Sequence, residues 1–167
     1  GASSTSPNGK QIVYQVSYYS VEQNKSHTML FVQNVNVKNR VQLTQDTKNE
    51  SDAVWIEGGR KIAFLRGGEI WTMTPEGKDR RQLTKTNGSI EGFVFSPDGS
   101  KVIMIKSIPY HGTIRETPAD LPKATGRLIT DMNYRHWDHY VETIAHPFVA
   151  NVTPDGISNE KDIMAGE

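Results

Sequence analysis

The densest run of chemically capable side chains in this sequence is Tyr134, Arg135, His136, Trp137, Asp138, His139 and Tyr140. An arginine in such a run can grip a carboxylate through two parallel hydrogen bonds. The flat rings of Tyr134 and Trp137 can wall a bound peptide. Tyr134, Arg135, His136, Trp137 and Asp138 are therefore the candidate substrate-binding group. The same run also reads as a strand with one buried face, on which Trp137 packs and Arg135 pairs with Asp138. The sequence leaves both readings open. A metal site needs ligands that converge. On a strand His136 and Asp138 point one way and His139 the other, so a further ligand would have to come from His111 or His146. No metal and no other cofactor is expected.

Other chemistries are excluded by what the sequence lacks. Among its 167 residues there is no cysteine, which removes disulfides, thiolate metal sites and cysteine catalysis. No G-x-S-x-G nucleophile elbow occurs, and no residue is expected to be catalytic. The pairs Gly58-Gly59 and Gly67-Gly68 lack the following helix and Lys-Ser/Thr of a phosphate loop and read as hairpin turns. Asn24 and Asn87 open Asn-x-Ser patterns, which matter only in a secretory eukaryote. The 19 basic and 19 acidic residues cancel, so no electrostatic pull toward nucleic acid or an anionic membrane is expected. The longest apolar runs fall far short of the ~20 residues that span a bilayer. No signal peptide is visible at this N-terminus.

The elements that must position the candidate group come from an internal repeat. The turn glycines Gly9, Gly59 and Gly99 lie 50 and 40 residues apart, and "QLT" ends at Thr44 and again at Thr84. One unit reads apolar strand, Pro-Asp-Gly-type turn, apolar strand, aromatic-bearing strand, polar turn, "QLT" strand. Asn-Gly and Asp-Gly between apolar runs are strong hairpin signals. "KIAFL" and "KVIMI" hardly alternate, as strands buried on both faces should. Phe64, Trp71, Phe95 and Phe148 recur at equivalent places and are expected between sheets; Val32 aligns with Trp71 in this scheme.

Four strands about every forty residues predict an all-β chain of about three four-stranded blades of a β-propeller, a partial ring. The blades are expected at about 6–44, 52–84 and 90–165. The first carries about ten extra residues around "YYSVEQNKSH", read as a longer hairpin loop. The third is interrupted by a largely irregular insert at about 107–145, with a one-turn helix signal at Thr117, Pro118 and Asp120. Its strand resumes at "PFVANV", and "KDIMAGE" stands in for "RQLT". Three blades leave two uncovered sheet faces, so self-association through them is expected.

The repeat resembles the "SPDG-K-IAF" propeller repeats of TolB-like proteins and of the prolyl oligopeptidase family of serine peptidases. The stretch "LPKATGRLITDMNYRHWD" followed by "HPFVANV" is similar to the propeller of bacterial dipeptidyl peptidases and acylaminoacyl peptidases in that family. The resemblance implies a two-domain enzyme, in which an α/β-hydrolase domain carries a Ser-Asp-His triad and the propeller admits only short, unfolded peptides. None of that triad maps onto this chain. The expected function is thus that of a non-catalytic N-terminal propeller fragment of a dipeptidyl peptidase-like serine peptidase. It gates and orients peptide substrate for a C-terminal α/β-hydrolase domain. The compartment implied is the periplasm. The alternative is a TolB-like module that binds a protein partner and does no chemistry.

Overall fold

Two short sequences, Ser-Pro-Asn-Gly and Ser-Pro-Asp-Gly, build the same corner twice. In the first, Gly9 N donates to Ser6 O at 2.8 Å, Ser6 N to Gln11 O at 2.8 Å, and Lys10 N to the Asn8 side chain at 3.0 Å. In the second, Gly99 N donates to Ser96 O at 2.8 Å, Ser96 N to Lys101 O at 2.9 Å, and Ser100 N to Asp98 Oδ1 at 3.0 Å. Gly9 and Gly99 have φ of +68° and +72°, a region open to glycine at little cost. The corners are seen in a computed structural model that describes residues 3–44, 48–109 and 143–165.

The described residues form three antiparallel sheets, each of four strands in chain order, and these corners join the first two strands of the first and the third. The first holds β1 (Ser3–Thr5), β2 (Gln11–Ser20), β3 (Lys25–Asn34) and β4 (Arg40–Gln42). The second holds β5 (Glu50–Ile56), β6 (Lys61–Arg66), β7 (Glu69–Met73) and β8 (Arg81–Gln82). The third holds β9 (Ile90–Phe95), β10 (Lys101–Pro109), β11 (Thr143–Thr153) and β12 (Gly156–Asp162). The expected all-β class with three four-stranded blades is what the chain forms. A 3-10 turn, Glu57–Gly59, joins β5 to β6. Among the described residues no helix is long and apolar enough to cross a membrane.

The recurrence of "QLT" has a hydrogen-bond cause. Thr44 Oγ1 accepts from Leu30 N at 3.0 Å, and Thr84 Oγ1 accepts from Ile70 N at 2.9 Å. Gln42 and Gln82 each donate from Nε2 to the following threonine's carbonyl at 2.6 Å. Leu43 N and Leu83 N close the ladder onto Leu30 O and Ile70 O. In the third sheet Ile163 N meets Pro147 O at 3.0 Å in the same way. Pro147 has no N–H to satisfy, and the place of threonine is taken by Met164. The hydroxyl has gone where its donor has gone.

The same bonds correct the repeat alignment by one residue. Phe31 pairs with Tyr14 as Trp71 pairs with Phe64 and Phe148 with Met104. Phe31, not Val32, is therefore the counterpart of Trp71. The extra residues of the first unit also behave differently from the expected long loop. They lengthen β2 and β3 to ten residues each, paired from Gln11↔Asn34 to Ser20↔Lys25. In the third unit the ladder takes in 107–109 and 143–145, which the repeat had assigned to the insert.

Burial explains why β6 does not alternate. Ile62 and Phe64 face the first sheet and join Val13, Leu30, Val32, Leu43, Ala53 and Met73. Ala63 and Leu65 face the third and join Ile56, Ile70, Ile90, Val102, Met104 and Ala150. Fully buried side chains of this size contribute roughly 1.5–3 kcal/mol each. β10 has one covered face: Val102 and Met104 are buried, but Ile103 is 43% exposed and Val94 beside it 67%. Between the first two sheets lies a buried charge, Glu50, held by Arg80 and by Arg66 Nε at 3.7 Å. These arginines also cover the rings of Phe64 and Trp71. Turn glycines set the stagger between sheets. A Cβ on Gly77 would lie 3.1 Å from Leu43 O, and one on Gly156 would lie 3.1 Å from Leu83 O.

Candidate functional site

Antiparallel order sorts the connections onto two rims. The Ser-Pro-Asn/Asp-Gly corners lie on one, where Gly59 approaches Pro7. The β2–β3, β6–β7 and β10–β11 connections lie on the other, with the crossovers between sheets. There Gly68 approaches Gly88 so closely that a Cβ would sit 2.1 Å from Gly88 O. The paired ends of β10 and β11, Pro109 and Thr143, lie on this hairpin rim, and residues 110–142 fall between them in the sequence. Tyr134, Arg135, His136, Trp137 and Asp138 belong to that segment and lie outside the described residues, as do His111, His139 and Tyr140.

Charged pairs tie together the strands that flank those residues in the sequence. Lys106 pairs with Glu160 and stands 3.8 Å from the centre of the Phe148 ring. One turn of the pleat away, His146 Nδ1 lies 3.2 Å from Asp162 Oδ2. Asp162 Oδ1 accepts from Met164 N at 2.9 Å. That backbone bond, opposed by burial and helped by His146 and Lys106, holds the Asp162 carboxyl below its ordinary value. His146 and Asp162 resemble a base and its orienting acid, but among the described residues no hydroxyl hydrogen-bonds the His146 ring. Among the described residues no three His, Cys, Asp or Glu side chains converge on a metal position.

Between the two tall hairpins the rim drops to the Gly67-Gly68 turn, and Glu69 braces its floor. The carboxylate accepts from Thr84 Oγ1 at 2.5 Å, Thr86 N at 2.6 Å and Gly88 N at 2.9 Å. Burial pushes this carboxyl up, but the bonds donated by Thr84, Gly88 and Thr86 outweigh it, and its pKa lies below 4.5. One signal of this brace is legible in the sequence: an acidic residue, Glu69, opens the mostly apolar strand β7. The opposite rim holds a cleft of about 350 Å³ between the second and third sheets. Its charges are already engaged: Lys61 with Glu57 at 2.9 Å, and Arg81 with Asp155 at 3.3 Å. Asp98 is turned into its own corner, where Ser96, then Ser100, lower its pKa to about 2.

No family model matches the chain. Dipeptidyl-peptidase 5 of Porphyromonas endodontalis is 40% identical over 100% of this chain, and that of Porphyromonas gingivalis is 45% identical over 97%. The chain spans about a quarter of these curated relatives, 25% and 24% of their lengths. Among solved structures, an acylaminoacyl peptidase from Pyrococcus horikoshii superposes with a TM-score of 0.64 at 14% identity, over 96% of this chain and 24% of that one. TolB from Acinetobacter baumannii superposes with a TM-score of 0.60 at 13% identity, over 95% and 31%. At such identities these structures establish the propeller fold alone.

Proposed function

We propose that this chain, a propeller segment of the prolyl oligopeptidase peptidase family, serves as part of the substrate-admitting cap of a serine dipeptidyl peptidase. The observation that carries this reading is the 40–45% identity to dipeptidyl-peptidase 5 across nearly the whole chain. The reaction would be run by an α/β-hydrolase domain elsewhere in the parent. The propeller's contribution would be selection: as a cap over that domain it would admit only short, unfolded peptides. Tyr134, Arg135, His136, Trp137 and Asp138 would meet the substrate, Arg135 through a peptide carboxylate. The compartment that fits is the periplasm. Taken alone, the 167-residue chain would associate through its uncovered faces, the Ile103 and Val94 side meeting the Tyr14 and Phe31 side of a second copy.

A serine-reactive fluorophosphonate probe tests the reading. The parent protein should be labelled at one serine outside this chain. The second reading is a TolB-like binding module, favoured by the superposition on TolB. It requires that the parent carry no reactive serine, and an unlabelled parent of correct mass would replace the peptidase reading with it.

A further inference from the structure

Both departures of this chain from its own forty-residue repeat fall on the hairpin rim: the lengthened β2–β3 and the segment 110–142. The opposite rim keeps short turns throughout. Beyond the level at which the second sheet turns at Gly67-Gly68, β2 and β3 continue as a bare two-stranded arm. β1 pairs only with Ile12, Val13 and Tyr14, and β4 only with Phe31, Val32 and Gln33. From Ser17↔Thr28 to Ser20↔Lys25 the arm has four more pairs, a reach of roughly 13 Å at ~3.3 Å per residue.

The arm carries its apolar side chains outward on every side. Val16 is 37% exposed, Tyr18 47%, Tyr19 57% and Val21, at the tip, 84%. Successive residues alternate faces, so Val16 and Tyr18 look away from the second sheet and Tyr19 looks toward it, and Val21 lies in the turn at the tip. Local ties stiffen the ribbon: Ser17 Oγ to Thr28 Oγ1 at 2.9 Å, the Tyr18 ring stacked on His27 at 5.3 Å, Tyr19 bonded to Asn24, and Thr28 N donating to Asn49 at 2.9 Å. Two free strands with exposed aromatic side chains on both faces are marginal alone and are suited to insertion between surfaces.

We propose that this arm is a wedge that docks into the α/β-hydrolase domain of the parent, fixing the propeller over it. The proposal rests on the peptidase reading above. The occupant is set by what lies outside this chain: about three quarters of each dipeptidyl-peptidase relative. It is also set by position, because the arm stands on the same rim as the paired ends of β10 and β11, Pro109 and Thr143. The partner surface should be an apolar slot with room for a tyrosine on either wall.

Photo-crosslinking in the full-length parent tests this directly. A benzophenone-bearing phenylalanine in place of Val21 should leave the fold intact, since that side chain is 84% exposed. Mass spectrometry of the irradiated protein should find position 21 joined to a peptide of the hydrolase domain in the same chain. Adding Tyr18→Ser and Tyr19→Ser should abolish that crosslink. Mixed light and heavy isotope copies identify a link between two molecules. Such a link, or no protein crosslink at all, would overturn the proposal. Fluorophosphonate labelling of the same sample keeps the two failures apart: a labelled parent with a wrong crosslink sinks the wedge alone, and an unlabelled parent sinks the peptidase reading.

Discussion

Replacing Thr84 by valine keeps the shape of a buried side chain and removes one hydroxyl. That hydroxyl accepts from Ile70 N at 2.9 Å and donates to Glu69 Oε2 at 2.5 Å, in a residue 1% exposed. Orphaning the Ile70 N–H costs about 1–3 kcal/mol, and losing a bond to a buried carboxylate about 1.5–3 kcal/mol. Neighbouring losses add imperfectly, so Thr84→Val should destabilise by roughly 3–4 kcal/mol. Thr44→Val is the internal control. It orphans Leu30 N but touches no carboxylate among the described contacts, and should cost about 1–3 kcal/mol. Urea unfolding followed by tryptophan emission suits the comparison, because Trp55 and Trp71 both pack at the first-to-second sheet interface. Equal costs for the two variants, or a Thr84→Val cost below about 0.5 kcal/mol, would refute the reasoning that hydroxyl and carboxylate act as one brace.

Glu69→Gln should flatten the acid limb of stability: the native carboxyl lies below 4.5, so its contribution is complete above that pH and is lost as pH falls through the native value. Acid titrations of wild type and variant, read by circular dichroism, check this, and parallel curves would contradict it. Gly68→Ala should be far worse than Gly99→Ala. Both positions have positive φ, but only the first drives a Cβ into the Gly88 carbonyl, whereas nothing lies within 4 Å of the second. Thermal melts should show a small loss for Gly99→Ala, of about 1–2 kcal/mol, and a loss several times larger for Gly68→Ala. Phe64→Ala removes a fully buried ring and should cost about 3–5 kcal/mol in the same urea assay. Asp98→Asn should leave the corner intact, since Asn8 accepts the corresponding bonds from Ser6 Oγ and Lys10 N in the first sheet; faster amide exchange at Lys101 in the variant than in wild type would show otherwise.

The hairpins were legible in the sequence because their corners are written in residues with little conformational choice, Gly9, Gly59 and Gly99. The doubly buried β6 was legible because Ile62, Ala63, Phe64 and Leu65 leave no polar face. The alignment slipped by one at Val32 because both Phe31 and Val32 are apolar, and only the hydrogen-bond register tells which face each occupies. The β2–β3 arm was misread as a loop for a related reason. Tyr18, Tyr19 and Ser20 are polar enough to pass for surface turn, and a strand without a buried face carries no alternation. The Glu69 brace joins residues from 69 to 88 across a crossover, a proximity that no local pattern encodes. The candidate substrate group, Tyr134 to Asp138, rests on residue chemistry alone, because a side chain's capacity to bind is readable from its type while its placement is not.

The peptidase reading is tested most directly by the cleavage pattern of the full-length parent on two versions of one extended peptide, one with a free N-terminus and one N-acetylated. Mass spectrometry of the products should show successive dipeptides released from the free peptide and none from the acetylated one. Release of single acylated residues from the blocked peptide, or no cleavage of either, would contradict a dipeptidyl peptidase capped by this propeller.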